Sequence, residues 1–188
     1  MKKKGTGTVR IIGGQWRGTR LPVPDLPGLR PSGDRSRETL FNWLQMHIRG
    51  ARCVDLFAGS GVLGLEAASR GAAEVILVEK SRQAVQDLRT SLKRLNATHV
   101  EVIETDAINW LAHCDPQTMD IVFIDPPFGT GLETRSLELL TAGNCVSPGG
   151  FVYIETARKA PAIKPVSGWE IMKEKTLGEV RMQLLKKV

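Results

Sequence analysis

From Arg52 onward the chain alternates between two hydrophobic periods, and that alternation restricts the fold more than any other feature. "CVDLFA" is a short apolar run suited to a buried parallel strand, and "GVLGLEAASRG" follows with helical spacing. The pair repeats as "EVILVE" with "RQAVQDLRTSLKRLN", as "VEVIE" with "DAINWLAHC", and as "MDIVFID" with "TRSLELLTAGN". "GGFVYIETA" adds a fifth strand, and "GWEIMKEKTLGEVRMQLLKKV" reads as an antiparallel hairpin around Leu177-Gly178. Strands alternating with helices imply an α/β fold, Rossmann-like, with a mostly parallel sheet covered on both faces. Ligands of such sheets sit beyond the carboxyl ends of the strands.

The first strand-to-helix turn reads "DLFAGSGVLG", in which Gly59, Gly61 and Gly64 fit G-x-G-x-x-G and Glu79 follows twenty residues after Gly59. That pattern matches a dinucleotide fingerprint. A helix N-terminus behind a glycine turn suits a pyrophosphate, and it suits the carboxylate of S-adenosyl-L-methionine equally. Three acids favour the second. Asp55, inside the strand, would hamper a pyrophosphate but can help hold an ammonium. Glu79 can accept both ribose hydroxyls. Asp106, after the third strand, can accept from an adenine amine, or it can simply cap the helix that follows. The candidate cofactor set is Asp55, Phe57, Gly59, Ser60, Gly61, Glu79, Asp106 and Ala107.

The fourth strand runs into Asp125-Pro126-Pro127-Phe128. Two prolines fix φ and remove two donors, and the residue before them is held extended. The corner therefore presents acceptors, the Asp125 carboxylate and the Pro126 carbonyl. An exocyclic base amine needs that arrangement, because its lone pair is delocalised and two acceptors on its N–H groups favour pyramidalisation. Asp125 can also take the departing proton, and Phe128 can stack on the base. A sulfonium donor brings its own leaving group, so no metal is required.

Charge is uneven. Residues 1–50 carry ten Lys/Arg against three acids, and the other 138 carry sixteen against seventeen. A local basic excess fits an anionic polymer. "TVRIIGGQWRGTRLPV" reads as a hairpin, "PVPDLPGLRPSG" as an extended linker, and "SGDRSRETLFNWLQMHI" as a helix capped by Ser32 or Asp34. Residues 1–33 are expected to form an RNA-facing extension and 34–188 the catalytic domain. Arg10, Arg17, Arg20, Arg30, Arg35 and Arg37 are the candidate phosphate contacts. Trp16 can stack on a base or staple the hairpin to the main domain. Cys53, Cys114 and Cys145 form no C-x-x-C pair and read as packed, reduced thiols of a cytosolic protein. No apolar run nears the roughly 18 residues needed to cross a bilayer, and the basic N-terminus lacks the apolar stretch of a secretory signal.

Four blocks, "VRIIGGQWRGTRLPVP", "GLRPSGDRSRETLFNWL", "DLFAGSGVLGLEAASRGA" and "FIDPPF", resemble the bacterial 16S rRNA guanine-N2 methyltransferases of the RsmD family, from about Val9 to the end. The resemblance implies a seven-stranded methyltransferase sheet with a C-terminal antiparallel hairpin and a small N-terminal extension. It implies a cytoplasmic, monomeric enzyme whose target is a guanine N2 amine in small-subunit rRNA, presented in the 30S subunit or an assembly intermediate. It places Asp55, Gly59, Ser60 and Gly61 at the methionine end of S-adenosyl-L-methionine, Glu79 at the ribose, Asp106 at the adenine, and Asp125, Pro126 and Phe128 at the amine. Where the family commonly reads "RPTTDR", this chain has "RPSGDR". The signature is shared more widely, and the alternatives are an adenine-N6 DNA methyltransferase or a protein glutamine N-methyltransferase. An NAD-dependent dehydrogenase and a noncatalytic RNA-binding protein are the rivals outside that chemistry.

Overall fold

The computed structural model describes residues 7–23 and 33–188. The alternating section folds as read. Strands β3 (Arg52–Asp55), β4 (Glu74–Glu79), β5 (Val100–Glu104), β6 (Met119–Ile124) and β7 (Val146–Ala157) pair in parallel. The hairpin β8 (Trp169–Leu177) and β9 (Val180–Lys187) adds antiparallel to β7. The seven-stranded order is β5-β4-β3-β6-β7-β9-β8. The order reverses at β3, so the crevice lies above the carboxyl ends of β3, β4 and β6.

Helices α2 (Val62–Ser69), α3 (Arg82–Leu95), α4 (Ala107–Leu111) and α5 (Leu132–Ala142) connect the strands. The central strands are buried on both sides, which is why their sequences are continuous apolar runs rather than alternating ones. One apolar cluster joins Cys53, Ile121, Phe123, Phe151 and Tyr153 to α2, and the opposite cluster joins Val54, Val122, Ile124, Val152 and Ile154 to α4 and α5.

The N-terminal section pairs β1 (Thr8–Arg10) with β2 (Arg20–Pro22) as expected. Val9, Ile11 and Leu21 are buried in the same cluster as α2 and β3. Helix α1 spans Asp34–Trp43 and stops earlier than its apolar spacing implies. Its N-cap is Gly33, which offers no side chain, and Asp34 is already helical. Asp34 instead pairs with Arg37 one turn on, and Ser32 lies outside the described residues.

The cysteines differ from expectation. Cys114 and Cys145 are joined, with Cα atoms 6.1 Å apart, while Cys53 is a buried free thiol. The pair joins the end of the α4 turn to the start of β7, 31 residues later. A contact of that kind leaves no spacing signature.

Candidate active site and cofactor loop

The acids singled out along the chain converge at the carboxyl edge of the sheet. Asp55 ends β3, Glu79 ends β4, Asp106 follows β5, and Asp125 follows β6. Asp55 is level with Leu77 on one side and Phe123 on the other, and β4 runs two residues further, to Glu79.

The loop after β3 is built by its glycines. Gly61 has φ +75°, and a Cβ there would lie 2.4 Å from Leu88 Cδ2. At Gly64 a Cβ would lie 2.2 Å from Leu77 Cδ2, so helix α2 could not approach β4 with any side chain in that place. The close approach lets Gly64 N–H donate to Asp55 Oδ2 at 3.1 Å. Glu79 accepts from Gly59 N–H at 2.8 Å and from Ser81 N–H at 2.7 Å, which fixes the loop against the end of β4.

Asp55 is the unusual group. It is 2% exposed, and its Oδ1 has no hydrogen-bond partner among the described residues. Burial, reinforced by the negative charges of Asp125 and Glu79, raises its pKa from 3.8 to about 7. An unmatched buried acceptor is costly. A cationic ligand donating to it would remove the cost, so the observed residues fit an ammonium group. Ser60 is buried in the same loop, and Phe57 is half-buried beside it. Asp106 accepts from Ile108 N–H at 2.9 Å and so caps α4 with Oδ1, and Ala107 behind it is buried.

At the end of β6, Pro126 is buried while Pro127 is exposed, and Asp125 is half-buried. The turn closes with Thr130 Oγ1 donating to the Pro127 carbonyl at 2.8 Å. Phe128 is 39% exposed, an aromatic face turned to solvent at the rim rather than the floor of an enclosed pocket. Beneath the corner the structure adds a pair that the sequence pattern did not single out. Because Ile124 pairs with Ile154, Asp125 and Glu155 follow side by side on neighbouring strands. Glu155 is 3% exposed and accepts from the Tyr153 hydroxyl at 2.5 Å. Burial and the adjoining carboxylates of Glu155 and Asp125 push the Tyr153 pKa well above its usual value. The available signal was an acid inside the otherwise apolar run "FVYIETA".

The candidate phosphate contacts divide. Arg10, Arg17, Arg20 and Arg35 are exposed, and Arg30 lies outside the described residues. Arg37 is a correction. Its side chain is 0% exposed, donating to Asp34 at 2.5 Å and to the Arg10 carbonyl at 2.7 Å, with Glu66 3.5 Å away. A guanidinium so enclosed supports the hairpin and does not meet a phosphate. Trp16 is half-buried, packs on the core cluster and stacks with His99 at 5.8 Å, contacts that a staple makes.

This strand order, with a glycine loop after the first parallel strand and an acid ending the next, defines a Rossmann-like class I methyltransferase. The family described as Conserved hypothetical protein 95 matches residues 9–186. The chain is 44% identical to Ribosomal RNA small subunit methyltransferase D of Escherichia coli K12 over 98% of this chain and 94% of the relative. It is 42% identical to the protein of the same name from Haemophilus influenzae, over 95% and 93%. The solved structure of yhhF from Escherichia coli superposes with a TM-score of 0.86 at 41% identity, covering 96% of this chain and 98% of that one. The chain belongs to the RsmD family.

Proposed function

We propose that this chain transfers a methyl group from S-adenosyl-L-methionine to the exocyclic N2 amine of a guanine in 16S rRNA. We place it in the cytoplasm, acting as a monomer on the 30S subunit or an assembly intermediate. The observation that carries the reading is the shared carboxyl edge. There an orphaned, buried Asp55 oxygen adjoins an acceptor-only corner at Asp125-Pro126. The rRNA assignment is supported by what the relatives are named to act on.

Asp55 Oδ1 and the Gly59–Gly61 loop would hold the methionine end. Glu79 would take the ribose and Asp106 the adenine, with Ala107 and Phe57 against the ring system. When bound, S-adenosyl-L-methionine supplies an electrophilic methyl carbon and its own leaving group. The protein contributes position and charge. Asp125 and the Pro126 carbonyl accept the two N–H bonds of the amine, which localises the nitrogen lone pair and aims it. Asp125, or water beside it, would take the proton that the amine loses. Phe128, exposed at the rim, suits a base swung out of an RNA loop. Arg10, Arg17, Arg20, Arg30 and Arg35 orient the backbone.

Labelled methyl transfer should be offered 30S particles, naked rRNA, DNA and protein in parallel, with mass mapping of the modified nucleoside. N2-methylguanosine in 16S rRNA is expected. Label in DNA adenine or in glutamine alone would replace this reading with one of its alternatives.

A further inference from the structure

The opposite edge of the sheet carries a second feature. Before β3, β4 and β5, at their amino ends, lies an open cavity of about 410 Å³. Its polar wall is Gln15, Arg49, Arg70 and His99. None of these belongs to the cofactor loop or to the Asp125 corner, and Arg49, Arg70 and His99 are outside the phosphate contacts assigned above. A six-residue strand such as β4 separates the two edges by about 20 Å.

The wall is a built structure. Gln15 N–H donates to the Ser69 carbonyl at 2.8 Å, Trp16 N–H to Ser69 Oγ at 2.9 Å, and Ser69 Oγ to the Gly13 carbonyl at 2.6 Å. Ile12 N–H donates to the buried Glu66 at 2.8 Å, and Glu66 also receives Arg70 Nε at 2.8 Å. The Arg70 guanidinium lies 5.0 Å from the Phe41 ring centre. His99 is backed by Trp16. The aliphatic stem of Arg49 runs past Gly71, whose carbonyl holds Gly50 N–H at 2.8 Å.

Its chemistry is that of an anion site. The carbonyls of Ala67, Ala68, Ser69 and Gly71 are each taken by backbone N–H groups. The side chains that remain on the wall, Gln15, Arg49 and His99, can each donate. The C-terminal end of α2 contributes roughly half a negative charge, and the Arg70 guanidinium is already paired with Glu66, so the free positive charge at the wall is that of Arg49. Arg49 has no carboxylate partner among the described residues, and it and Gln15 are exposed, so the cavity is open along one side. An open trough suits a continuous strand better than a small enclosed metabolite. It also joins the tip of the hairpin, because Gln15 lines it and Trp16 stacks on His99.

We propose that this basic trough is a second RNA-backbone site, which grips phosphates of the substrate rRNA at the pole opposite the reacting base. The inference rests on the rRNA reading above. It makes the enzyme a two-point clamp. One edge takes the base, the other takes backbone, and the hairpin tip fixed to Ser69 and Glu66 sets the spacing between them.

The test uses the full chain as R49E, H99A and the double variant, with Arg49→Lys as the conservative control. Affinity for naked 16S rRNA and for 30S particles is measured across salt concentrations. Transfer kinetics, S-adenosyl-L-homocysteine affinity and melting temperature are measured alongside. The double variant should raise the KM for RNA about tenfold, the equivalent of removing one charge-assisted hydrogen bond. Each phosphate interaction removed should flatten the salt slope by about 0.7–0.9. The kcat at saturating RNA and the S-adenosyl-L-homocysteine affinity should stay as in the parent, the melting temperature of R49E should be unchanged, and Arg49→Lys should restore most of the RNA affinity. A parental KM and salt slope in the double variant would overturn the site. So would weakened 30S binding with naked rRNA binding intact, which would indicate a ribosomal protein. A melting rise with inorganic phosphate and no RNA effect would identify a small-anion site instead. Failure of the activity reading shows separately, as a parent protein that transfers no methyl to rRNA while the binding comparison still stands.

Discussion

The two ends of the parallel sheet gather different groups. At the carboxyl edge Asp55, Glu79, Asp106, Asp125 and Glu155 gather, and the buried Asp55 Oδ1 has no partner among the described residues. At the amino edge Arg49, Arg70 and His99 gather, and the carbonyls of the α2 terminus are capped. A surplus of acceptors calls for a ligand that donates, such as an ammonium or an amine. A surplus of donors calls for an anion. The same fold thus presents two ligand preferences about one strand length apart, and the N-terminal hairpin reaches the second of them.

The strongest way to break this contrast is at the corner after β6. Asp125→Ala should lower methyl transfer by about 10²–10⁴-fold, the range for a positioned acid–base group. S-adenosyl-L-homocysteine affinity and RNA affinity should both survive. Isothermal titration and single-turnover transfer check this, and near-parental transfer would remove Asp125 from the mechanism.

The link between the two edges is tested next. Arg37→Met leaves Glu66 buried with one cation fewer, and the expected cost is about 3–5 kcal/mol in urea unfolding. The control Arg35→Met, at an exposed position two residues away, should stay within about 0.5 kcal/mol of the parent. Equal costs for the two would contradict a buried linchpin.

Asp55 sharpens the carboxyl edge through pH. In the folded chain it holds its proton up to about pH 7, whereas unfolded it loses it near 3.8. Between those values the folded state binds more protons, so this group makes stability fall as pH rises through the window. Asp55→Asn should therefore melt higher than the parent at neutral pH without cofactor, and bind S-adenosyl-L-homocysteine at least about tenfold more weakly. In the parent, an ammonium ligand drives the proton off. S-adenosyl-L-homocysteine affinity should then rise from pH 5 to 7, with proton release measurable by calorimetry in buffers of different ionisation enthalpy. Flat affinity across that range would sever Asp55 from the ligand.

The smallest effects belong to the hairpin surface. Arg17→Ala and Arg20→Ala should each flatten the salt dependence of RNA binding by about 0.7–0.9, with unfolding free energies unchanged within about 0.5 kcal/mol. Unaltered slopes would leave the hairpin as packing alone.

Much of this was legible along the chain because parallel α/β architecture writes itself locally. A buried strand between amphipathic helices needs a continuous apolar run, and a strand-to-helix turn touching a ligand needs glycine. Those constraints set the alternation from Arg52, the loop at Gly59–Gly64 and the stiff corner at Asp125-Pro-Pro-Phe. The order of the strands then carried the acids to a common edge.

Tertiary packing alone decided the remainder. Arg37 and Arg35 look alike in sequence, yet one is sealed against Glu66, 29 residues away, and the other faces solvent. Cys114 meets Cys145 only because α4 and the start of β7 adjoin. Glu155 falls beside Asp125 through strand register, and Arg49, Arg70 and His99 become one wall through three separate strand entrances. Local patterns report what a residue's own segment requires; burial, pairing and net charge at a surface depend on segments that arrive from elsewhere.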